Sequence, residues 1–205
     1  LTSFYFQERK GNVDGFYFYI WDKTTAQPFF ETTSAFGDEL RKEARGDASV
    51  KTAFNDYFIK NIITRKDGGF IIGTEAYYTT SRFNNWNRWD YLYGSPYMST
   101  FNNSNYYSPY NSNYFWRSRS SNQAVRYHAD NITVLSFDNK GKLEWNNIMG
   151  KSQYDDESDD LLSYQLMNTG GQIHFLFNQQ ERRNNLLSDY NIAPDGVMTR
   201  SPTLK

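Results

Sequence analysis

The densest run of side chains able to do chemistry lies between residues 84 and 123. Trp86, Trp89, Tyr91, Tyr93, Tyr97, Tyr106, Tyr107, Tyr110, Tyr114 and Trp116 are interleaved there with asparagine and serine. Flat rings stack on sugar faces or on bases, and amide side chains both donate and accept hydrogen bonds. The same mixture gives protein-binding loops a large contact area at low entropic cost. Arg88, Arg117, Arg119 and Arg126 stand in or beside this stretch against one acid, Asp90. Trp86, Trp89, Tyr91, Tyr93, Tyr97, Trp116 and Arg117 are therefore the candidate ligand contacts, and a polysaccharide or a protein is the partner they fit. The plain alternative, of equal weight, is that these rings cover an edge of the chain's own sheets, since large aromatics pack where they can.

Other chemistry is sparse. A net charge of -1 gives no general attraction to nucleic acid. The absence of cysteine excludes disulfides, thiolate nucleophiles and thiolate metal sites. His128 and His174 have no partner at metal-ligand spacing, and both are expected in structural or surface roles. No G-x-S-x-G elbow is present, and the glycine pairs 68–69 and 170–171 lack the helix and lysine of a phosphate loop. The acidic run at 155–160 lacks the alternation and glycine of a calcium loop and reads as a solvated connector. Glu75, Asp130 and Glu144 are available as glycosidase-type carboxylates, which come from distant positions and need convergence in space. No catalytic residue, metal or cofactor is expected.

The elements that must position the aromatic stretch are strands. Aromatic residues make up 19% of the chain, with Tyr and Phe leading, which suits pleated sheets, and the Asn, Ser, Thr and Gly content suits turns. The organising segment runs over 54–79, a hairpin about Lys66-Asp67-Gly68-Gly69, and continues over 130–150 with strands at 132–137 and 142–148 about Asp138-Asn139-Lys140-Gly141. The stretch at 84–123 is a long insert within this unit, of a length that is unusual without secondary-structure signal. Gly73, inside a strand, predicts a bulge or a close approach.

Strands are also expected at 4–6, 16–21 and 28–32, with Pro28 pointing to an edge position. One short helix is predicted between Gly37 and Ala48, acids first and bases last. Hairpins at 161–178 and 186–200 follow. The fold class is all-β, built from antiparallel four-stranded repeats with one short helix, as a single domain over 1–205 or part of a larger one. No run of about 18 apolar residues exists to span a membrane as a helix.

Asp67-Gly68-Gly69-Phe70 and Asp138-Asn139-Lys140-Gly141-Lys142-Leu143-Glu144-Trp145 resemble blade turns of bacterial secreted or envelope β-propeller repeat proteins. The resemblance covers about 100 residues, and no calcium, quinone or WD-type signature names a subfamily. It implies that 54–150 is one blade, that 15–33 and 161–200 belong to its neighbours, and that Trp145 packs between blades. One full blade and two partial ones do not close a ring of four to eight, so the chain is expected to be a piece of a longer polypeptide, or its hairpins to pack as a sandwich or open sheet. The resemblance also implies an extracytoplasmic location. The functional expectation is a non-enzymatic module that binds a polysaccharide or protein through the insert. A carbohydrate-active enzyme with acids at the mouth of the sheet, and a scaffold segment docked on a neighbouring domain, are the alternatives.

Overall fold

In a computed structural model the described residues are 1–9, 11–46, 48–81, 125–156, 158–181 and 184–201. Alternation along strands decides which side chains meet. Strands β1 (Thr2–Tyr5), β2 (Gly15–Asp22) and β3 (Gln27–Ala35) form an antiparallel sheet in that order. Phe16 and Phe18 point to one face and are buried, whereas Tyr17, Tyr19 and Trp21 alternate onto the other. Pro28 lies near the start of β3, an edge strand, the position in a sheet where proline is tolerated.

Helix α1 (Asp38–Ala44) follows, with Asp38 and Glu39 in its first turn and Arg41 and Lys42 in its last. Its buried face is Leu40 and Ala44, one turn apart. Arg41 is more than a solvated charge: its guanidinium donates to the carbonyls of Phe36 and Asp14 and so ties the helix to the first sheet. A 3-10 turn at Val50–Thr52 leads to the central sheet.

That sheet is a meander, β4 (Tyr57–Thr64), β5 (Phe70–Ser81), β6 (Val125–Phe137) and β7 (Leu143–Asp155), in chain order. The hairpin glycines Gly68 and Gly141 both take positive φ, at 86° and 74°, as tight turns require. A second meander follows: β8 (Gln165–Asn168), β9 (Ile173–Glu181), β10 (Asn184–Ile192) and β11 (Met198–Arg200).

The three sheets stack in chain order, and the central one is shared. Phe70, Ile72, Leu135 and Phe137 of the central sheet join Phe16, Phe18, Phe36, Leu40, Phe54 and Tyr57 in a first core. Their neighbours Ile71, Ile132 and Val134 point the other way and join Tyr164, Ile173, Phe175, Phe177 and Ile192 in a second. Trp145 lies against the second core, over Gly196 in the β10–β11 turn. Gly196 has φ +86°, and a Cβ there would meet the Trp145 ring at 2.7 Å, so the indole needs glycine beneath it.

The chain is thus all-β apart from α1 and the 3-10 turn among the described residues. The first sheet has three strands, its β1 overlapping the strand expected at 4–6, and 165–200 makes a complete four-stranded sheet. Strands β6 and β7 run longer than the sequence signal, beginning at Val125 and ending at Asp155. No described helix is long and apolar enough to cross a membrane.

Candidate functional site

A column of β-bulges crosses the central sheet. Lys60 is the extra residue of β4, between Ile59 and Asn61. Asp130 and Asn131 of β6 together oppose Ala76 of β5. Gly150 and Lys151 of β7 together oppose Asn131. A bulge breaks the period of two and re-aims the side chains beyond it. Ile132 and Val134 face the second core, but beyond the bulge His128 and Asp130 face the first-core side, where they meet Tyr78.

On the second-core side the bulges collect charge. The side chains of Glu75 and Lys151 are both fully buried, with Glu75 Oε1 2.7 Å from Lys151 Nζ. That contact is an ion pair off hydrogen-bond alignment, which Coulomb attraction tolerates at this range. Lys151 Nζ donates to Ala129 O and to Gln153 Oε1, each at 2.7 Å. Gln153 in turn donates to Asn178 O at 2.6 Å and accepts from Ser163 N at 2.8 Å, linking the central and third sheets. The Ser163 hydroxyl donates to Glu75 Oε2 from a residue held at φ +84°, a left-handed conformation unusual for serine. Burial pulls Lys151 below the ordinary lysine range, and Glu75 opposes that shift.

Gly73 belongs to the same region. Tyr164 OH sits 2.8 Å from where a Cβ would be and donates to Asn61 Oδ1, so Gly73 serves both a bulge and a close approach.

The opposite face is open. A cavity of about 310 Å³ lies between the end of α1 and the central sheet. Arg45, Gly46, Asp56, Tyr57, Tyr78 and Asp130 are among the residues that line it. Two of its hydroxyl donors are engaged. Tyr57 OH donates to Ala44 O at 2.9 Å, and burial pushes its pKa up to about 12, so it remains a neutral phenol. Tyr78 OH donates to Asp130 Oδ2 at 2.7 Å. Asp130 Oδ1 is buried and has no hydrogen-bond partner.

A row of rings leads outward from this cavity across β5, β6 and β7. Tyr78 stacks on His128 with centroids 4.6 Å apart and planes within 7°. His128 lies 6.3 Å from Tyr154, which is 51% exposed. The guanidinium of Arg126 covers the Tyr154 ring at 4.4 Å while holding Asp156 through two hydrogen bonds of 2.6 and 2.9 Å. Burial lowers the His128 pKa most; Asp130 and Asp156 pull it up and Arg126 adds to the fall. His128 Nε2 meets Thr80 Oγ1 at 3.0 Å. The Tyr78–His128 pair of this row sits three residues from Ser81 and Val125, the ends between which the long insert runs.

The sequence candidates separate accordingly. Trp86, Trp89, Tyr91, Tyr93, Tyr97, Trp116 and Arg117, and the 84–123 insert as a whole, lie outside the described residues. Of the three carboxylates, Glu75 is sealed in its ion pair and Glu144 is held by Arg65 and Ser136. Asp130 lines the cavity at the end of α1. The acidic run does more than connect, since Asp159 accepts from Tyr77 OH at 2.8 Å and Asp156 grips Arg126. His174 pairs with Asp189 on the third sheet. Tyr78, Tyr154 and Asp56 are the site residues that sequence reasoning missed. Their only signal was cross-strand adjacency, which exists once the register is known.

No family model, curated protein or solved structure matches the chain.

Proposed function

We propose that the chain is a non-enzymatic binding module for a macromolecule, with a polysaccharide favoured over a protein, and that the insert at 84–123 and its root make the binding surface. One observation carries this reading: the ring row of Tyr78, His128 and Tyr154 crosses β5, β6 and β7 close to the strand ends that bear the insert, and its first ring, Tyr78, also lines a cavity. Sugars are held by aromatic faces combined with a few fixed polar groups, and the root supplies both. The series of antiparallel sheets stacked in chain order supports a propeller-like arrangement, of which this chain would be part. An envelope or secreted bacterial location rests on the resemblance of the turn sequences alone.

A second reading has one observation of its own. Asp56 and Asp130 line the same cavity, and two carboxylates sharing a cleft is the arrangement of a glycoside hydrolase.

The test is a glycan array probed with the chain and with a variant carrying a short Gly-Ser linker in place of 84–122, each first shown folded by circular dichroism. Binding by the parent, lost in the variant and without release of reducing ends, is expected. Binding with turnover would favour the hydrolase. No binding by the parent would remove the polysaccharide and leave a protein partner to be sought.

A further inference from the structure

The two cores use both faces of the central sheet and one face of each outer sheet, which leaves a face at either end of the stack. On the first sheet, Tyr17, Tyr19 and Trp21 of β2 alternate onto that end face, and Glu31 of β3 stands opposite Tyr19. Tyr19 and Trp21 stack with centroids 6.3 Å apart and planes within 24°, and Tyr17 OH donates to Glu31 Oε1 at 3.0 Å. Trp21 and Phe29 are 51% and 73% exposed. On the third sheet, Phe175 and Phe177 take the core side, so His174 and Leu176 face outward with Met167 and Asp189 as cross-strand partners. Leu187 alternates onto the same face of β10, and Met167 and Leu187 are 46% and 40% exposed. His174 and Asp189 pair with each other there. Exposed apolar side chains gathered on one face mark an interaction surface.

The footprint of these faces decides what covers them. The first sheet has strands of four, eight and nine residues, and the third has strands of four, nine, nine and three. At about 3.3 Å along a strand and about 4.8 Å between strands, each face covers about 350 to 400 Å². A stable interface takes about 800 Å² per partner, so one end face supplies half of it and the two together nearly all. Pairing two first sheets would engage one face of each chain and fall short. Joining first sheet to third in both directions engages all four end faces of two chains.

Resting on the propeller-like arrangement above, we propose that a second copy of this chain covers both end faces, the first sheet of each copy packing on the third sheet of the other. Two copies of three sheets make a ring of six, within the four to eight of closed propellers. The two faces differ in sequence, so the contact is heterologous, and such contacts stay finite only when they close into a ring. The contact repeats between copies what the two cores already do within one chain, a sheet face laid on the next sheet.

The test is sedimentation velocity and equilibrium on the whole chain at about 1 to 100 μM, the weak end for an interface of this size. Trp21→Lys alters the first-sheet face and Leu187→Asp the third-sheet face, each checked for an unchanged far-ultraviolet spectrum; Phe29→Lys replaces Trp21→Lys if that chain does not fold. The expected result is a dimer for the parent and at least tenfold weaker association for each variant alone. An equimolar mixture of the two variants should recover a dimer, because one contact is then native and the other sets lysine against aspartate. A parent monomer at the highest concentration overturns the second copy and leaves the propeller-like arrangement to be completed by sheets of another chain. A dimer sensitive to Trp21→Lys but not to Leu187→Asp, with no recovery on mixing, is a pair of first sheets and overturns both the ring and the propeller-like arrangement. An open polymer overturns the closure. Glycan binding is read on a separate array, so its failure leaves the ring standing.

Discussion

Glu75 and Lys151 are two full charges placed where neither side chain touches solvent. Desolvating such a pair costs several kcal/mol per ion, and the pair recovers this only because both ends have further partners: Ser163 on one, Ala129 O and Gln153 on the other. Breaking one side should therefore hurt more than removing both. Glu75→Gln and Lys151→Met are each expected to lower stability by about 3 to 5 kcal/mol, and the double variant by clearly less than their sum. Urea denaturation of the four proteins measures the cycle, and simple additivity would show that the pair has no net coupling. Lys60, half-exposed at 3.6 Å from Glu75, should matter little by comparison.

His128 offers a pH-dependent counterpart. Its folded-state pKa lies below the ordinary value of 6.5, chiefly through burial between Tyr78 and Tyr154, with Arg126 pressing the same way and Asp130 and Asp156 pulling back. A base whose folded pKa is lowered binds its proton more readily in the unfolded chain. The folded state is then fully favoured above pH 6.5 and loses stability as pH falls through that value toward the lower folded pKa. Thermal melts between pH 8 and pH 5 should show this decline, and His128→Gln should flatten it. An equal slope in the variant would assign the decline to other groups.

At the scale of elements, the bulge column is what separates a buried ion network on one face from an open site on the other. One extra residue in β6 reverses the facing of everything before it. Deleting Asn131 should restore the regular period and leave Asp130 and His128 on the first-core side, because Asp130 would then directly precede Ile132 and alternate with it. The expected cost is small, about 0.5 to 1.5 kcal/mol for the lost hydrogen bond from Lys151 N to Asn131 Oδ1. A much larger fall in thermal midpoint would show that the bulge itself is needed.

The same feature explains what the sequence could show. The hairpin turns were legible, because positive-φ glycines at 68, 141 and 170 have a local cause. So were α1 and the alternation of Ile173, Phe175 and Phe177. The strands at 132–137 and 142–148 were read short because apolar alternation stops at the bulges, although the ladder continues to Val125 and Asp155. The partnership of Glu75 with Lys151 left no trace, since 76 residues of sequence and a register shift stand between them. Of the site itself, Asp130 was visible only as an available acid. Its pairing with Tyr78 is a product of β5–β6 register.

For the whole molecule, the consequential fact is that the central sheet serves two cores. Neighbouring residues of β6 report on them separately, with Leu135 in the first core and Ile132 in the second, both fully buried. In repeat architectures stability is a sum of units and their interfaces, so units can separate when an interface is weakened. Here the interfaces are the hydrophobic cores, and neither outer sheet has a second large buried layer among the described residues. Each outer sheet should therefore melt with the central one. Leu135→Ala and Ile132→Ala are each expected to cost about 2 to 5 kcal/mol, which for a chain of this size is a fall of roughly 5 to 15 °C in Tm. Both should move a single calorimetric transition, with calorimetric and van't Hoff enthalpies equal. Two transitions, one shifted by each variant, would show instead that the stacked sheets are separable units. The binding root would then depend on the first core alone, since Tyr57, Ala53 and Ala44 of that core wall the cavity in which Asp130 stands.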